Sequence, residues 1–166
     1  APTMSTISDR SYNEFSLDDT LLEFSTEGRG DYRTPFIAVS FGDKGDRTLD
    51  LRYESFAIHP GIVRFKGAKM PQAVAGTNDA ETLEVTYRDK SRNIRLVNYY
   101  TSFYSTDTIT RRSVVFNDSD STLNIRSIAS SQIDFRAEEV DITTFSGTWG
   151  REKMRKTNTL SGGTFI

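Results

Sequence analysis

Residues 81–88 read Glu-Thr-Leu-Glu-Val-Thr-Tyr-Arg, and this strict alternation constrains the fold more than any other feature of the chain. Leu83, Val85 and Tyr87 would line one face of a strand, and Thr82, Glu84, Thr86 and Arg88 the other. Successive Cβ atoms of a strand point to opposite faces, so a two-residue period fits a half-buried strand and no helix. Strand-like runs follow at 94–104, 108–117 and 123–135, with turn signals at 89–92 and 117–121. Punctuation at intervals of roughly 8–14 residues, with almost no helical spacing, predicts an all-β fold, an antiparallel β-sandwich.

The first half carries weaker signals. Residues 1–20 are polar and aperiodic and read as an arm or loop; residues 21–166 read as a single β-sandwich domain. The best helical spacing, at 18–24, is short. Residues 27–31 suggest a turn, 36–41 a strand, and 42–46 a hairpin turn leading into a second strand over 48–58. Leu49, Leu51 and Tyr53 would share a face of that strand, and His59-Pro60-Gly61 would end it. Residues 61–80 form a long connection.

Composition sets the class of partner. Hydrophobic residues make up 36% of the 166 and charged ones 27%; the formal net charge is −2. That balance offers no electrostatic footprint for nucleic acid or an acidic membrane, and neither is expected as a partner. With no cysteine, disulfides and thiolate metal sites are excluded, which is compatible with a cytoplasmic protein. No apolar run reaches the length of a membrane-spanning helix. The chain opens on Ala1-Pro2 and closes on Thr164-Phe165-Ile166, which resembles a strand just beginning, so it reads as a piece of a longer protein. Strands missing at both ends would leave unpaired edges, and Phe36, Ile37 and Phe165 are expected to seek burial against something more.

Reactive chemistry is sparse. His59 is the single histidine and lacks the companions a metal needs. There is no Gly-x-Ser-x-Gly elbow and no phosphate-binding loop. Arg29-Gly30-Asp31 matches a tripeptide of adhesion ligands, although two glycines before a strand are explained by a turn. Asp107, Asp118, Asp120, Asp134, Glu138, Glu139 and Asp141 are numerous but mostly in turn-like stretches, where carboxylates cap backbone N–H groups. Tyr99, Tyr100, Phe103 and Tyr104 could form a sugar-stacking platform, as in a free-standing carbohydrate-binding module, or simply fill two sheet faces. The last quarter holds the only tryptophan. An alternating run from Ile142 reaches Ser146-Gly147, then Trp149, Arg151 and Glu152. A large aromatic beside Arg at a strand end suggests an interdomain interface, with a core tryptophan capping the sandwich as the alternative.

Several segments, read in order, resemble the N-terminal β-sandwich domain of bacterial α-galactosidases of glycoside hydrolase family 36. Gly30-Asp31-Tyr32-Arg33-Thr34-Pro35 resembles the family's Gly-Asp-aromatic-Arg-x-Pro turn. Arg47-Thr-Leu-Asp-Leu-Arg-Tyr53 and Glu81-Thr-Leu-Glu-Val are similar to two of its strands. Tyr100-Thr-Ser-Phe103 with Asp107-Thr-Ile-Thr-Arg111, then Asp134-Phe135, then Ser146-Gly147-Thr148-Trp149-Gly150-Arg151-Glu152, complete the series. The resemblance implies a supersandwich, incomplete in this chain, that belongs to an enzyme cleaving terminal α-galactosides such as raffinose-type sugars and melibiose. It implies no cofactor and no metal. It places both catalytic aspartates on a downstream (β/α)₈ barrel, one after a Lys-Trp motif. Here Trp149 follows Thr148, so no catalytic residue maps onto this chain. The implied partners are the barrel, a galactoside reached through the parent enzyme, and further copies in a homo-oligomer. In that oligomer a loop near the arm 1–16 would reach a neighbour's active site.

Overall fold

The alternating segment becomes the centre of a sheet. The computed structural model describes residues 23–27, 34–42, 45–65, 72–75, 78–133 and 139–161. The expected arm, Arg29-Gly30-Asp31, Asp134, Glu138 and Thr164-Phe165-Ile166 lie outside them. β3 (Ala80–Asp89) runs antiparallel to β4 (Ile94–Phe103), in register from Ala80 opposite Phe103 to Asp89 opposite Ile94 without a bulge. β5 (Thr108–Asn117) pairs with the other edge of β4, again without a shift. β2 (Arg52–Pro60) pairs with β3 and carries a bulge between Tyr53 and Ser55. The sheet order is β2-β3-β4-β5. The two inner loops, 90–93 and 104–107, each close on a residue in the left-handed region, Asn93 at φ 55° and Asp107 at φ 49°. Asn and Asp tolerate that backbone better than other side chains do.

A second, two-stranded sheet joins β1 (Ile37–Phe41) to β6 (Leu123–Ile128). The core lies between the two sheets. Ile37 and Val39 of β1 meet Val85 and Tyr87 of β3 and Ile94 and Leu96 of β4, with Phe24, Phe36, Leu49 and Leu51 completing the cluster. Phe24 stands edge-on to Tyr87 at 4.9 Å, an arrangement that aligns ring edge with ring face. The opposite face of the sheet is also covered at one end. Val97, Tyr99, Thr101 and Phe103 are buried there, where Phe65 packs edge-on to Tyr99. Thr82 Oγ1 also donates to the Gly61 carbonyl on that face.

Asp89 ties these parts together. Its buried carboxylate accepts from the backbone N–H of Ser91 and Arg92 and from the Ser91 hydroxyl, holding the β3–β4 loop. Its other oxygen accepts from the Asp50 N–H, pinning the segment that inserts Leu49 and Leu51 into the core.

Sequence reading and structure differ at four points. The hairpin expected across 42–46 is not formed: β1 pairs with β6, and only a single bridge, Phe41 with Asp46, spans the turn. Residues 47–50 are not strand, although Leu49 there is fully buried. The strand expected over 123–135 stops at Ile128. Phe36 and Ile37, expected to seek outside burial, are in the domain's own core. No helix occurs among the described residues.

The described chain forms two units, Ala1–Ile133 and Asp134–Ile166. The second holds β7 (Val140–Thr148) and β8 (Arg151–Leu160), an antiparallel hairpin. β8 escapes the sequence reading because its first seven residues are all exposed, so no apolar alternation marks it. We expect Leu96→Ala to cost about 2–5 kcal/mol, since the methyl groups removed leave a cavity in a packed core. Tyr104→Ala, at an exposed loop, should stay within about 0.5 kcal/mol. Urea unfolding followed by circular dichroism checks both; equal costs would mean the core is not where the burial places it.

Candidate functional site

The sequence candidates Trp149, Arg151 and Glu152 stand at the tip of the β7–β8 hairpin. The tip is built by two glycines. Gly150, at φ 77°, supplies the left-handed residue that closes the turn between Thr148 and Arg151. Gly147 faces a bulge: two residues of β8, Glu152 and Lys153, stand opposite it, and Lys153 is itself at φ 58°. A Cβ on Gly147 would lie 3.0 Å from the Arg151 carbonyl oxygen and 3.1 Å from the Glu152 Cα, both backbone atoms. Below the tip, the Thr143 and Thr157 hydroxyls are 3.0 Å apart across the strands, and Thr159 donates to the Asp141 carboxylate at 2.6 Å.

The hairpin's exposed side chains are unusual for its size. Trp149 is 98% exposed, Phe145 67% and Met154 56%; Arg151 and Glu152 are exposed beside them. Trp149 thus packs into no core of its own hairpin. A two-stranded hairpin alone is marginally stable in water, and one that displays an indole, a phenyl ring and a thioether has the composition of a contact surface.

Among the other sequence candidates, His59, Asp107, Asp118, Asp141 and the aromatics at 99–104 are occupied with structure. His59 Nε2 lies 2.9 Å from a Glu84 carboxylate oxygen, and no group of three potential metal ligands exists among the described residues. The four aromatics at 99–104 do not form a platform. Tyr99 and Phe103 are buried on one face, Tyr100 points to the other, and Tyr104 is in a loop. Asp118 is held by arginines. Arg95 chelates it with two nitrogens, one of them at 3.1 Å, and Arg88 approaches to 3.3 Å while also bonding Glu54 at 2.6 Å. Hydrogen bonding to Arg95, then the charges of Arg95 and Arg88, hold the Asp118 carboxyl below its ordinary value. Asp107 closes a loop, and Asp141 bonds Thr159.

Two polar clusters carry no sequence signal, because their members are far apart in the chain. In the first, Ser113 donates to Asn98, Asn98 to the Tyr100 hydroxyl, and Tyr100 to Glu23. Arg111 stands 3.3 Å from the same Glu23 carboxylate and donates to the Gln132 carbonyl. Burial first, and then the bond to Glu23, push the Tyr100 phenol well above the ordinary tyrosine range. In the second, the Arg112 guanidinium lies 3.4 Å over the Phe65 ring centroid and 5.3 Å from that of Tyr99, and donates to the Val63 carbonyl. Burial lowers the Arg112 pKa. Both clusters fasten connecting segments to the sheet.

Antiparallel sheets packed on either side of one apolar core define a β-sandwich domain. The chain belongs to the glycosyl hydrolase family 36 N-terminal domain family, whose model matches residues 1–166. It is 31% identical over 145 residues to α-galactosidase AgaA of Geobacillus stearothermophilus, covering 87% of this chain and 20% of that protein. It is 30% identical over 156 residues to the bifunctional α-galactosidase/sucrose kinase AgaSK of Mediterraneibacter gnavus, covering 94% and 16%. The crystal structure of AgaA superposes with a TM-score of 0.82 at 28% identity, over 98% of this chain and 23% of that one. A variant of AgaA has been solved in complex with raffinose and matches at a TM-score of 0.80. The chain thus spans about a fifth of the relatives it matches.

Gly147→Ala should open the hairpin without touching the sandwich, because the new Cβ meets backbone that must move. Amide exchange should accelerate across β7 and β8 and stay unchanged in β3 and β4. Undiminished hairpin protection would show that the close approach does not hold the tip.

Proposed function

We propose that this domain is the non-catalytic scaffold of an α-galactosidase, holding the enzyme's catalytic barrel and supporting its assembly into oligomers. The substrates of that enzyme would be terminal α-galactosides such as raffinose-type sugars and melibiose. The observation that carries the reading is the match of the whole chain to the family's N-terminal domain, joined to an exposed aromatic tip that offers a surface rather than a reaction centre. Family-type hydrolysis needs two carboxylates flanking the scissile bond, one acid and one nucleophile. Three of the domain's carboxylates are instead spent on loops and ion pairs: Asp89 on its turn, Asp118 on Arg95, Glu54 on Arg88. Trp149, Arg151 and Glu152 are assigned to the contact with the rest of the enzyme. A cysteine-free composition is compatible with a cytoplasmic location.

Assayed with an aryl α-galactoside, the 166-residue chain should show no turnover above buffer; turnover that copurifies with the chain would overturn the scaffold reading. In the whole enzyme, Trp149→Ala should weaken the contact between this domain and the barrel by about 2 kcal/mol, the scale of an aromatic hot spot. The same change should leave the unfolding of the isolated chain unaltered. Equal loss in both would make Trp149 a stabiliser of its own hairpin.

A further inference from the structure

The Arg111 guanidinium joins two stretches of chain that lie far apart in sequence. It stands 3.3 Å from the Glu23 carboxylate and donates to the Gln132 carbonyl at 2.8 Å. Two rings flank it, with centroids at 4.9 Å for Phe36 and 5.5 Å for Tyr100. The Arg111 side chain is only 11% exposed. A charge so enclosed needs its partner, because loss of the carboxylate would leave it uncompensated away from water.

Both partners are held from a second side. Ser113 donates to Asn98, and Asn98 donates to the Tyr100 oxygen, so the one phenolic proton is left to point at Glu23. While the Gln132 carbonyl takes Arg111, its side-chain oxygen accepts from the Ser25 N–H at 2.9 Å and the Ser25 hydroxyl at 3.0 Å. The Phe36 N–H donates to the Ser25 carbonyl, and the Ala129 N–H to the Phe36 carbonyl. A closed ring of contacts thus runs from Arg111 through Glu23, Ser25 and Gln132 back to Arg111. Neither stretch has a strand ladder of its own. Residues 23–27 form one isolated bridge, Thr26 with Ile37, and residues 129–132 belong to no strand.

We propose that Arg111 is a clasp that makes residues 23–27 and 129–132 open and close as one unit while the four-stranded sheet stays folded. The guanidinium suits this role because its planar fork reaches a carboxylate and a carbonyl at once, where an ammonium serves as a point charge. Proteins open locally in contiguous units whose free energies differ from that of global unfolding, and segments without a ladder belong to the less protected ones. The clasp makes one such unit out of two stretches that the sequence separates by about a hundred residues. Residue 132 lies beside Ile133, where the first unit ends, so the chain leaves the sandwich for the hairpin from a point that Arg111 fixes. A single opening event would therefore release the sandwich's hold on the chain before Glu23 and on the chain after Ile133 together.

Native-state hydrogen exchange is followed on the full-length protein through a series of urea concentrations below the unfolding transition. The Ser25 and Ala129 amides should report one shared opening event, and the amides of β3 and β4 a separate and rarer one. Arg111→Lys keeps the charge and loses the fork. It should speed exchange at Ser25 and Ala129 together by at least about tenfold and leave β3 and β4 unchanged. Glu23→Gln should do the same. Glu27→Gln, which breaks only solvent-facing pairs with Arg47 and Arg126, should change neither amide by more than about twofold. Ser25 and Ala129 amides that open with different urea dependence, or that respond separately to Arg111→Lys, overturn the proposal. So does equal acceleration in β3 and β4, which would make Arg111 a stabiliser of the whole fold, and so does a Glu27→Gln effect as large as that of Arg111→Lys. Should Arg111→Lys fail to fold, the urea series on the unmutated protein decides by itself.

Discussion

The structure hangs on the unbroken register between β3 and β4. From Ala80–Phe103 to Asp89–Ile94 no bulge intervenes, so every residue of the two strands is committed to one face or the other. A slip of one position would invert that commitment along the whole length, turning Val85 and Tyr87 out and Glu84 and Arg88 in. The flanking strands inherit the choice through their own pairing: β5 without a shift, β2 with one shift near its start. The loop at one end of the register is then locked by the Asp89 carboxylate, which also reaches Asp50.

The two faces of this sheet are used differently. One supports an apolar cluster shared with β1, and the other is closed partly by arginines over aromatic rings, Arg112 over Phe65 and Arg95 over Phe116. A guanidinium suits that role because its plane stacks while its edge donates to carbonyls or carboxylates. The belt Glu54–Arg88–Asp118–Arg95 crosses from β2 to the residue after β5. It is solvent-facing, so its effect on stability is small and screened by salt, and its role is better described as fixing side-chain direction. Among the described residues, exposed apolar side chains include those on the flank of β2 and at the tip of the hairpin. For a segment that makes up a fifth of its relatives, these are the surfaces on which the remainder would be expected to act.

The place of Trp149 along the chain was legible without coordinates. Trp149 was singled out by being the only tryptophan, following a strand and preceding a charge cluster, and it does stand at a strand end. Its exposure was not legible, since a lone indole after an alternating run fits a core as well as a surface. The exposure of β2 was not legible for a related reason. Leu49, Leu51 and Tyr53 have the spacing of one strand face, but Leu49 and Leu51 are buried while Tyr53 is exposed. Spacing reports which residues share a face, and only the neighbour across that face decides whether it is dry.

By itself the sequence determined what depends on near neighbours: the β class, the positions of β3, β4 and β5, the turns that part them, and the family to which the motifs point. These follow from side-chain period and turn chemistry, which act over a few residues. The tertiary structure alone decided that β1 pairs with β6 and not across the adjacent turn, that Glu23, Tyr100 and Arg111 meet, and that β8 is a strand at all. Each of these depends on contacts between residues far apart in the chain, or on a strand with no buried face to mark it, and neither leaves a periodic trace in the order of the amino acids.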